Sequence, residues 1–367
     1  MKIAFIGSRG IPANYGGFET FVEEVAVGLK NTYNYDIVVV GDSLQKIQLK
    51  GIKSYKGIKI KYSTFSKANQ TILFYLDSMF KVWNSDIIYS CGVGNAFFLF
   101  IPFFLKKKFV TNPDGIGWKR LKWSNNGKKI LKFMFFLSAK LSPFILADSI
   151  GIQQVFEDKF NRKKQINTIE YGAYLNNTIG DNSQNVKKIL QKFNLTGLGY
   201  HLVVSRLEPE NNVDQIIHGY LKTDSKRPLV IVGNIMETDY VRDLLKFMSK
   251  RIIFLGGIYE RFTLEVIRAN AFSYIHGHSV GGTNPSLLEA MASKNICICH
   301  KNQFNIGVVS DAGFYFENDD DLSRIITEIE INNYSEYREL VYNRVINHFS
   351  WKNIIRKYSE YFTEIVK

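Results

Sequence analysis

Cysteine is scarce in this chain of 367 residues, which has only Cys91, Cys297 and Cys299. The count is odd, and no pair has the CxxC spacing of zinc sites and redox motifs. A disulfide framework and a cysteine-based zinc site are therefore excluded as the basis of the fold. The chain must rely on hydrophobic burial instead. Since a lack of disulfides is typical of proteins in reducing compartments, we expect this protein in the cytoplasm.

Long hydrophobic runs are also lacking. The N-terminal segment MKIAFIGSRG has no extended apolar region before a cleavage site and is typical of a buried strand that ends at a glycine. The most apolar run, AFFLFIPFFL (96–105), is about half of the ~20 residues that a transmembrane helix needs. We expect no export signal and no membrane span, and we predict that this run is a buried crossover helix with part of its apolar surface facing a membrane.

Acidic residues are in deficit, since 34 Asp and Glu residues oppose 47 Lys and Arg residues, for a net charge of +13. Residues 1–172 contain 25 basic and 12 acidic side chains, whereas residues 173–367 contain 22 of each. The whole excess of positive charge therefore lies in the first half. A basic surface of this kind suits nucleic acid, anionic lipid or phosphorylated ligands.

Aromatic residues among the lysines favour lipid over nucleic acid. The segment KKILKFMFFLSAKL (128–141) has the composition of an interfacial helix, although a core helix with a solvated lysine edge explains the pattern equally well. We predict that the first domain docks on an anionic membrane and binds no nucleic acid. The basic residues of this predicted surface are Lys106, Lys107, Lys108, Lys119, Arg120, Lys122, Lys128, Lys129 and Lys132.

Short apolar strands alternate with amphipathic helical stretches along the chain, which predicts parallel sheets wound by helices. We predict an α/β fold of two Rossmann-like doubly wound domains, 1–172 and 173–349, with a ligand cleft between them. A C-terminal amphipathic helix at 350–367 is expected to pack back toward the first domain. The predicted strands are KIAFIG, DIVVVG, DIIYS, KFVTN and FILADS in the first domain, and HLVVS, PLVIVGN, IIFLGG, FSYIHGH, NICICH and GFYF in the second.

A glycine-rich turn, GSRGIPANYGGFET, follows the first predicted strand. Paired glycines at Gly16 and Gly17 let the backbone approach a phosphate or a sugar closely, and the helix that follows adds a favourable dipole. The spacing is not the GxGxxG of dinucleotide-binding proteins. This difference weighs against an NAD-dependent dehydrogenase, in which Asp42 would be the ribose-binding acid.

A second motif, HGHSVGGTNPSLLEAMAS (276–293), connects a predicted buried strand to a helix. Gly281 and Gly282 predict a tight turn. Asn284 is a favourable N-cap residue, and Pro285 suits the first position of the helix. The motif therefore predicts a helix N-terminus at the carboxyl end of a strand, where ligands bind in doubly wound folds.

The first turn of this predicted helix has the chemistry of a nucleotide site. We expect the backbone N–H groups of Ser286 and Leu287 to face an anion such as a diphosphate. Glu289, one turn into the helix, would accept hydrogen bonds from a ribose diol. The alternative for Glu289 is an ordinary solvated helix residue, which its apolar neighbours disfavour.

Arg206 leaves the end of the strand HLVVS and enters the loop RLEPENN. A guanidinium at this edge can bind phosphate oxygens bidentately and neutralise a departing diphosphate. The alternative is a surface salt bridge to Glu208 or Glu210, which we consider the weaker interpretation because strand carboxyl ends gather ligands.

Four strings resemble one enzyme family. The second half resembles the donor-binding domain of the family 4 retaining glycosyltransferases, which have the GT-B fold. GIPANYGGFETFVEE, NPDGIGWKRLKW, SRLEPENN and HGHSVGGTNPSLLEAMAS occur in the order found in the bacterial rhamnosyltransferase group of that family. The resemblance covers nearly the whole chain, and it implies sugar transfer from a nucleotide diphosphate sugar with no cofactor and no obligatory metal.

The resemblance also implies roles for individual residues. Asp114, in NPDG, would contact the transferred sugar, although a capping role in an Asp-Gly turn is an equal alternative. His278 would meet the donor sugar or close its own loop. Asp114 and Arg206 are the implied catalytic residues. The implied donor-binding residues are Gly16, Gly17, Arg206, Asn211, His278, Gly281, Gly282, Thr283, Asn284, Ser286, Leu287 and Glu289.

The narrower resemblance implies particular substrates. Gly281 stands where the wider family has a glutamate, a change that the rhamnosyltransferase group shares, which implies L-rhamnose from dTDP-rhamnose as the donor. The implied acceptor is a lipid-diphosphate-linked saccharide at the inner face of the cell membrane, in cell-surface polysaccharide synthesis. A UDP- or GDP-hexose is the alternative donor. A NAD-dependent oxidoreductase and a non-enzymatic basic membrane-binding protein are the alternatives from other classes.

Overall fold

The computed structural model describes residues 1–13, 17–119 and 123–367, and it contains two sheets that are parallel except for one pair of strands at an edge. The chain divides into a first unit, residues 1–172 together with 351–367, and a second unit, residues 173–350. All eleven strands expected from the apolar runs are present. The predicted fold class, two doubly wound α/β domains, is confirmed.

In the ranges 1–13, 17–119 and 123–172, the first unit has eight strands and six α-helices. They are β1 (Lys2–Ile6), α1 (Gly17–Tyr33), β2 (Asp36–Gly41), α2 (Ser43–Gln48), β3 (Ser54–Tyr55), β4 (Ile58–Tyr62), α3 (Thr71–Lys81), β5 (Ile87–Cys91), α4 (Phe100–Phe104), β6 (Lys108–Asn112), α5 (Asn125–Leu141), β7 (Phe144–Ala147), α6 (Ile150–Phe160) and β8 (Ile166–Thr168).

The strand order of this sheet is β3-β4-β2-β1-β5-β6-β7-β8, and only β3 and β4 pair antiparallel. The order reverses beside β1, which lies between β2 and β5. Loops that follow β1 and β5 therefore diverge at the carboxyl edge of the sheet, where doubly wound folds bind ligands. The glycine-rich turn after β1 lies at this edge.

The second unit has six strands and eight helices. They are α7 (Gln184–Lys192), β9 (His201–Val204), α8 (Val213–Leu221), β10 (Leu229–Val232), α9 (Asp239–Leu245), β11 (Ile252–Gly256), α10 (Arg261–Ala269), β12 (Ser273–His276), α11 (Pro285–Ala292), β13 (Ile296–His300), α12 (Gln303–Val309), β14 (Phe314–Phe316), α13 (Asp319–Ile331) and α14 (Ser335–Arg344).

The strand order of the second sheet is β11-β10-β9-β12-β13-β14, and every neighbouring pair is parallel. Its order reverses between β9 and β12. The four inner strands β9, β10, β12 and β13 are almost entirely buried, as expected of a parallel sheet covered on both faces, which explains why they appear in the sequence as continuous apolar runs. The motif at 276–293 begins at the end of β12 and continues through α11.

The last helix, α15 (Trp351–Val366), belongs to the first unit. Its buried face includes Tyr358 and Phe362, whose rings pack on Phe5 and Tyr89 of the central strands. A Cβ at Gly28 of α1 would overlap Ile355, so glycine at that position lets the two helices approach closely. The amphipathic C-terminal segment thus completes the core of the first unit.

The apolar run at 96–105 differs from its prediction. It forms a short 3-10 turn (Ala96–Phe98) and the five-residue helix α4, and within it Ala96, Leu99 and Pro102 are buried. Phe98 and Ile101 are half-buried and pack on the core, whereas the remaining apolar side chains are exposed, Phe104 by 74%. The run is therefore not one crossover helix, because Pro102 and the short connection between β5 and β6 divide it into two short segments. The expected division of its apolar side chains between the core and an outward-facing surface agrees with the structure.

Candidate functional site

Two loops of the second unit meet at the carboxyl edge of its sheet, where the strand order reverses. The N–H and the hydroxyl of Ser279 both donate to the carbonyl of Glu210, each over 3.0 Å. The side chain of Asn212 donates to the carbonyl of Gly277 over 2.7 Å. The loop after β9, which contains Arg206, therefore lies beside the loop after β12, which contains the glycine pair at 281 and 282.

Helix α11 begins at this edge, with Asn284 as its N-cap and Pro285 as its first residue. The side-chain oxygen of Asn284 accepts the N–H of Ser286 over 2.9 Å, and the carbonyl of Asn284 accepts the N–H of Leu287 over 3.1 Å. The expectation that these two N–H groups face an anion is therefore corrected, because the cap uses both. Ser286 and Leu287 support the site by shaping the helix N-terminus.

Glu289 has a partner that the sequence did not reveal. Its Oε2 lies 2.6 Å from Nη2 of Arg268, on α10, and the same nitrogen donates to the hydroxyl of Ser286 over 3.3 Å. The Arg268 side chain is only 5% exposed, whereas that of Glu289 is 47% exposed. The expected lone carboxylate is therefore one half of an ion pair whose cation is buried and whose anion reaches the surface.

The hydroxyl of Ser286 joins this ion pair to the sheet. It donates to the carbonyl of Val204, the last residue of β9, over 3.0 Å and lies 2.9 Å from the hydroxyl of Tyr274. The first turn of α11 is thus bonded to both strands at the switch point. The sequence contains one signal of this buried partner: in the segment VIRAN, an arginine directly follows apolar residues of α10 that are buried.

His278 and Asn211 form a second cluster at the same edge. Nδ1 of His278 lies 2.6 Å from Oδ1 of Asn211, and Nδ2 of Asn211 donates to the carbonyl of Arg206 over 2.7 Å. A Cβ at position 281 would lie 2.5 Å from Nε2 of His278, so Gly281 makes room for this ring. The structure therefore brings His278, Asn211 and Gly281 together, as the resemblance implies.

Gly282 and Thr283 complete the loop that precedes the helix. Gly282 is half-buried, and Thr283 is buried. Further support for the loop comes from Asn302 and Asn305, whose side chains both donate to the carbonyl of His278 over 3.0 Å. These two asparagines were not predicted as site residues, because the segment NQFN indicates only the N-cap of α12.

Arg206 is exposed at this edge and carries the salt bridge that was the alternative interpretation. Its Nη1 lies 3.3 Å from Oε1 of Glu208, and its side chain is 43% exposed. An exposed ion pair of this kind contributes at most about 1 kcal/mol, so it does not hold the guanidinium in place against a phosphate. Arg206 can therefore exchange Glu208 for a more highly charged anion.

His276, the last residue of β12, is a buried histidine that the sequence did not single out. Its ring stacks on Tyr274 with a centroid distance of 5.9 Å and lies 5.9 Å from the ring of His278. Burial, together with the nearby imidazoles of His278 and His300, lowers the pKa of His276 well below the usual histidine value. His276 is therefore neutral at the edge where the anionic ligand is expected.

In the first unit, α1 begins at Gly17, directly after the glycine-rich turn, and no atom of the described residues lies within 4 Å of the position of a Cβ on Gly17. Gly16 lies outside the described residues. Two carboxylates of α1 hold the described part of the turn, because Glu19 accepts the N–H of Arg9 over 2.9 Å and Glu23 accepts the N–H of Ala13 over 2.8 Å. Neither acid was singled out in the sequence.

A cavity of about 410 Å³ opens beside this turn, lined by side chains that include Arg9, Glu19, Asp42, Gln45 and Gln48. Asp42 caps α2, because Oδ1 accepts the N–H of Gln45 over 2.8 Å and Oδ2 accepts the N–H of Lys67 over 3.3 Å. Both of its oxygens accept backbone N–H groups, so Asp42 has a structural role as the N-cap of α2.

Asp114 follows β6 at the carboxyl edge of the first sheet and is half-buried. Its backbone lies in the left-handed region, with φ of 54°, and its N–H is accepted by Oδ1 of Asn112 over 3.0 Å. Asn112 in turn donates to the hydroxyl of Tyr89 over 2.8 Å. The turn is thus closed by Asn112, and Asp114 is held at the sheet edge.

The outward faces of α4, α5 and the preceding 3-10 turn carry an unusual number of exposed large apolar residues. Phe133 is 51% exposed, and its ring lies 6.4 Å from that of Phe97 and 6.3 Å from that of Phe136. The opposite face of α5 is buried, as a core helix requires. We call the exposed set the apolar patch: Phe97, Phe100, Phe103, Phe104, Leu105, Ile130, Phe133 and Phe136.

The lysines predicted to surround this surface differ in their exposure. Lys106, Lys119, Lys129 and Lys132 are exposed, and Lys108 and Lys128 are half-buried. Lys107 is more constrained, since it donates to the carbonyl of Ser85 and burial lowers its pKa. Arg120 and Lys122 lie outside the described residues.

No helix in the described ranges is both long enough and apolar enough to span a bilayer. Within the same ranges, no three His, Cys, Asp or Glu side chains are grouped as ligands for a metal ion. The expectation that the reaction needs neither a cofactor nor a metal stays a prediction.

Comparison with known families gives two matches along the chain. Residues 1–174 match the family described as Domain of unknown function (DUF1972), and residues 185–345 match Glycosyl transferases group 1. The second match contains both loops of the site, α11 and Arg268. The second unit therefore matches the glycosyl transferases group 1 model over most of its length.

Relatives and solved structures agree with this class. The uncharacterized glycosyltransferase MJ1069 of Methanocaldococcus jannaschii is 24% identical over 401 residues, which cover 100% of this chain and 99% of the relative. HepE of Anabaena, in complex with UDP, has a TM-score of 0.78 at 17% identity over 99% of this chain and 100% of that structure. Sucrose-phosphate synthase of Thermosynechococcus elongatus has a TM-score of 0.79 at 12% identity, over 99% and 98% of the two chains. The protein is a glycosyltransferase with the GT-B fold.

Proposed function

We propose that this glycosyltransferase moves a sugar from a nucleotide diphosphate sugar to a lipid-diphosphate-linked saccharide, with retention of the anomeric configuration. The observation that carries the proposal is the arrangement at the switch point of the second sheet. There an exposed arginine, a capped helix N-terminus and a surface carboxylate on that helix come from two segments whose loops are bonded together. These are the groups that a phosphate and a ribose require.

Each group has a separate task in this proposal. Arg206 would leave Glu208 and bind the diphosphate, whose charge grows as the bond to the sugar breaks. The backbone of Gly282 to Asn284, immediately before α11, would approach the phosphates, with the positive end of the helix dipole behind it. Glu289 would accept a hydroxyl of the nucleotide's sugar. The departing diphosphate would take the proton of the acceptor hydroxyl.

The transferred sugar would contact His278 and Asp114. We propose L-rhamnose, delivered as dTDP-rhamnose, because the space at position 281 is occupied by the His278 ring and Gly281 adds no acceptor for sugar hydroxyls. A 6-deoxy sugar has one hydroxyl fewer to satisfy. A UDP-hexose is the second candidate, since HepE, which has the same fold, was solved in complex with UDP-glucose.

A panel of nucleotide sugars tests this proposal. Purified protein is given dTDP-rhamnose, UDP-glucose or a GDP-hexose with a lipid-diphosphate saccharide, and release of the nucleoside diphosphate is measured. We expect fastest turnover with dTDP-rhamnose and an unchanged anomeric configuration by NMR. Exclusive use of a hexose donor would replace rhamnose by the second candidate, and tight NADH binding without sugar transfer would support the oxidoreductase alternative.

We further propose that the apolar patch and its lysines bind the cytoplasmic face of an anionic membrane, where a lipid-linked acceptor resides. Exposed aromatic rings at the centre of a basic surface are suited to insertion among lipid headgroups. Basic residues near such a surface contribute about 1 kcal/mol each at low salt. The aromatic rings and the lysines of α5 lie on one outward face, so insertion of the rings and electrostatic attraction of the lysines would act together.

Sedimentation with vesicles checks the membrane proposal. We expect binding to vesicles of anionic lipid, weakening as salt rises, and little binding to neutral vesicles. Replacing Lys128, Lys129 and Lys132 by glutamine should lower anionic binding, whereas the same change at Lys187, Lys188 and Lys192 of α7 should not. Phe133→Ser tests the apolar contribution. Equal binding to both kinds of vesicle, or no effect of either α5 variant, would exclude this role for the patch.

A further inference from the structure

A series of hydrogen bonds crosses the core of the first unit and ends at the turn that carries Asp114. The N–H of Asp114 donates to Oδ1 of Asn112 over 3.0 Å, and Nδ2 of Asn112 donates to the hydroxyl of Tyr89 over 2.8 Å. That hydroxyl lies 3.2 Å from the hydroxyl of Tyr358, on α15. We call Asn112, Tyr89 and Tyr358 the supporting network, because it joins the last helix of the protein to the carboxyl end of β6.

The direction of the bonds in the supporting network is fixed. A reversed Asn112 amide would set its NH2 group against the N–H of Asp114, so Nδ2 faces Tyr89. The Tyr89 oxygen therefore accepts Asn112, and its own proton is directed at Tyr358, because a buried hydroxyl proton without an acceptor is costly. Burial raises the pKa of both tyrosines well above the usual value, so both hydroxyls keep their protons.

Ring packing holds the two hydroxyls in place. Tyr89 and Tyr358 are fully buried, and their rings meet edge to face with a centroid distance of 6.0 Å. Both also pack on Phe21 of α1, at 5.8 and 5.5 Å. Asn112 is equally buried, so water cannot replace a bond that the network loses. The network is therefore a rigid internal support that no ligand reaches.

The turn at the end of the network depends on this support. Asp114 has a φ of 54°, a conformation that is unfavourable for a residue with a Cβ unless a local bond compensates. Asn112 supplies that bond from two residues earlier, as in an Asx turn. Asp114 is half-buried at the sheet edge and is the point at which a ligand meets this arrangement. The network therefore acts through Asp114.

We infer that Asn112, Tyr89 and Tyr358 are positioning residues for sugar transfer, and that α15 holds the Asp114 turn in its working conformation through the two tyrosine hydroxyls. The inference rests on the proposed function, in which Asp114 contacts the transferred sugar. A displacement of about 1 Å in a contact of this kind can lower a rate by about 100-fold. Helix α15 thus has a second task besides completing the core.

Two conservative variants test the inference, because each removes one hydroxyl and keeps the ring. Turnover is measured as release of nucleoside diphosphate from the donor that the panel of nucleotide sugars selects. We expect Tyr89→Phe to lower kcat by about tenfold, since Asn112 loses its acceptor, and Tyr358→Phe to lower it by about threefold. The KM of the donor should change little, because the second unit holds the nucleotide.

Tyr361→Phe is the matched control. Its hydroxyl lies on the same helix and is buried, but it bonds to nothing in the part of the chain that the structure describes. Removing it should leave kcat at the wild-type value. Wild-type kcat in both Tyr89→Phe and Tyr358→Phe, or an equal loss in Tyr361→Phe, would overturn the inference.

A double-mutant cycle with Asp114→Asn separates positioning from a general loosening of the core. If the hydroxyls act through the Asp114 carboxylate, Tyr89→Phe should lower kcat by less than about twofold in the Asp114→Asn background, against about tenfold in the wild type. A purely structural role gives the same factor in both backgrounds, and that result would overturn the inference. If Asp114→Asn has no activity, the single variants and their control decide.

Failure of the inference and failure of the proposed function have different signatures. Wild-type activity in Asp114→Asn would remove Asp114 from the sugar site and overturn the inference, while sugar transfer itself would stand. Loss of activity in Asp114→Asn with full activity in both tyrosine variants would overturn the inference alone. Turnover of no donor in the panel by the wild-type protein would overturn the proposed function and this inference with it.

Discussion

The two units of this protein share an architecture and differ in charge and in side-chain chemistry. The first unit has 29 basic and 14 acidic residues, whereas the second has 18 basic and 20 acidic residues. All six histidines lie in the second unit and all four tryptophans in the first. Similar sheets are therefore used differently: one is covered by a basic, aromatic surface, and the other presents a polar edge suited to a nucleotide.

The same difference is visible at the switch points of the two sheets. In the first unit, carboxylates of α1 hold the turn after β1 by accepting backbone N–H groups of Arg9 and Ala13. In the second, a buried cation, Arg268, holds the carboxylate of Glu289. Glu19 and Glu23 at the first edge accept backbone N–H groups, whereas Glu289 at the second edge is paired with a buried arginine.

The largest expected effect concerns the core that α15 completes in the first unit. Phe362 is fully buried against Phe5 and Tyr89, so Phe362→Ala should lower the free energy of unfolding by about 3 to 5 kcal/mol. Urea denaturation followed by tryptophan fluorescence reports on the first unit alone. The control is Val366→Ala, an exposed position of the same helix. An unchanged midpoint for Phe362→Ala would show that α15 contributes little to this unit.

The next effect separates the second edge from the first as the nucleotide site. Glu289→Gln and Arg206→Ala should each weaken UDP or dTDP binding by about 10- to 100-fold, since each removes a charge-assisted hydrogen bond. Calorimetry measures the affinity, and Glu237→Gln, an exposed acid of the same unit, is the matched control. Glutamine is used at position 289 because its side-chain oxygen can still accept a hydrogen bond from the buried Arg268, which alanine cannot. Normal affinity in both variants would place the nucleotide elsewhere.

A third effect distinguishes the units by pH. Burial lowers the pKa of His201 below its usual value and, with neighbouring imidazoles, lowers that of His276 well below it, so the unfolded chain binds protons that the folded second unit does not. Stability of the second unit is therefore complete above about pH 6.5 and falls as the pH drops below it, by up to ~1.4 kcal/mol per pH unit for each histidine. The first unit has no histidine and should be unaffected between pH 7 and about 5.5.

The Glu330 carboxylate extends this acid sensitivity to lower pH. Burial acts to raise its pKa, but hydrogen bonds from His201, Ser225 and Arg227 outweigh burial and lower it to about 2. Its contribution is complete above the usual glutamate pKa and is lost as the pH falls toward 2. Histidine NMR signals report on the second unit and tryptophan fluorescence on the first. His276→Phe should reduce the slope below pH 6.5, and His218→Gln, an exposed position, should not.

The smallest effect concerns the start of α11. Asn284→Ala should destabilise the second unit by about 1 kcal/mol, because the N–H of Ser286 loses its cap. Asn284→Asp keeps the cap but adds a negative charge where the diphosphate is proposed, so it should retain stability and weaken nucleotide binding. If Asn284→Ala and Asn284→Asp lost stability equally, the role of this side chain as a cap could not be separated from its role in the ligand site.

Sequence patterns predicted most of the sheet elements because buried parallel strands are continuous apolar runs between glycines and caps. Three strands at or near the edges of the first sheet, β3, β4 and β8, lack this apolar pattern and were not predicted. β4, IKIKY, alternates apolar and charged residues because it lies near the sheet edge, and β8 has only three residues. The run at 96–105 was predicted as one helix but forms two short segments, because apolar composition alone does not show where a helix begins and ends.

For the site, the sequence by itself determined the local positions of the residues. Arg206 and the glycine pair at 281 and 282 follow the ends of strands, and Asn284 and Glu289 lie at the start of a helix, as local turn and cap patterns predict. Only the tertiary structure decided their partners. Arg268 reaches Glu289 from another helix, Asn211 meets His278 across 67 positions, and the cap uses the N–H groups of Ser286 and Leu287. Local pattern encodes backbone conformation, whereas a contact between distant segments depends on the packing of whole helices and strands, which no short stretch of sequence contains.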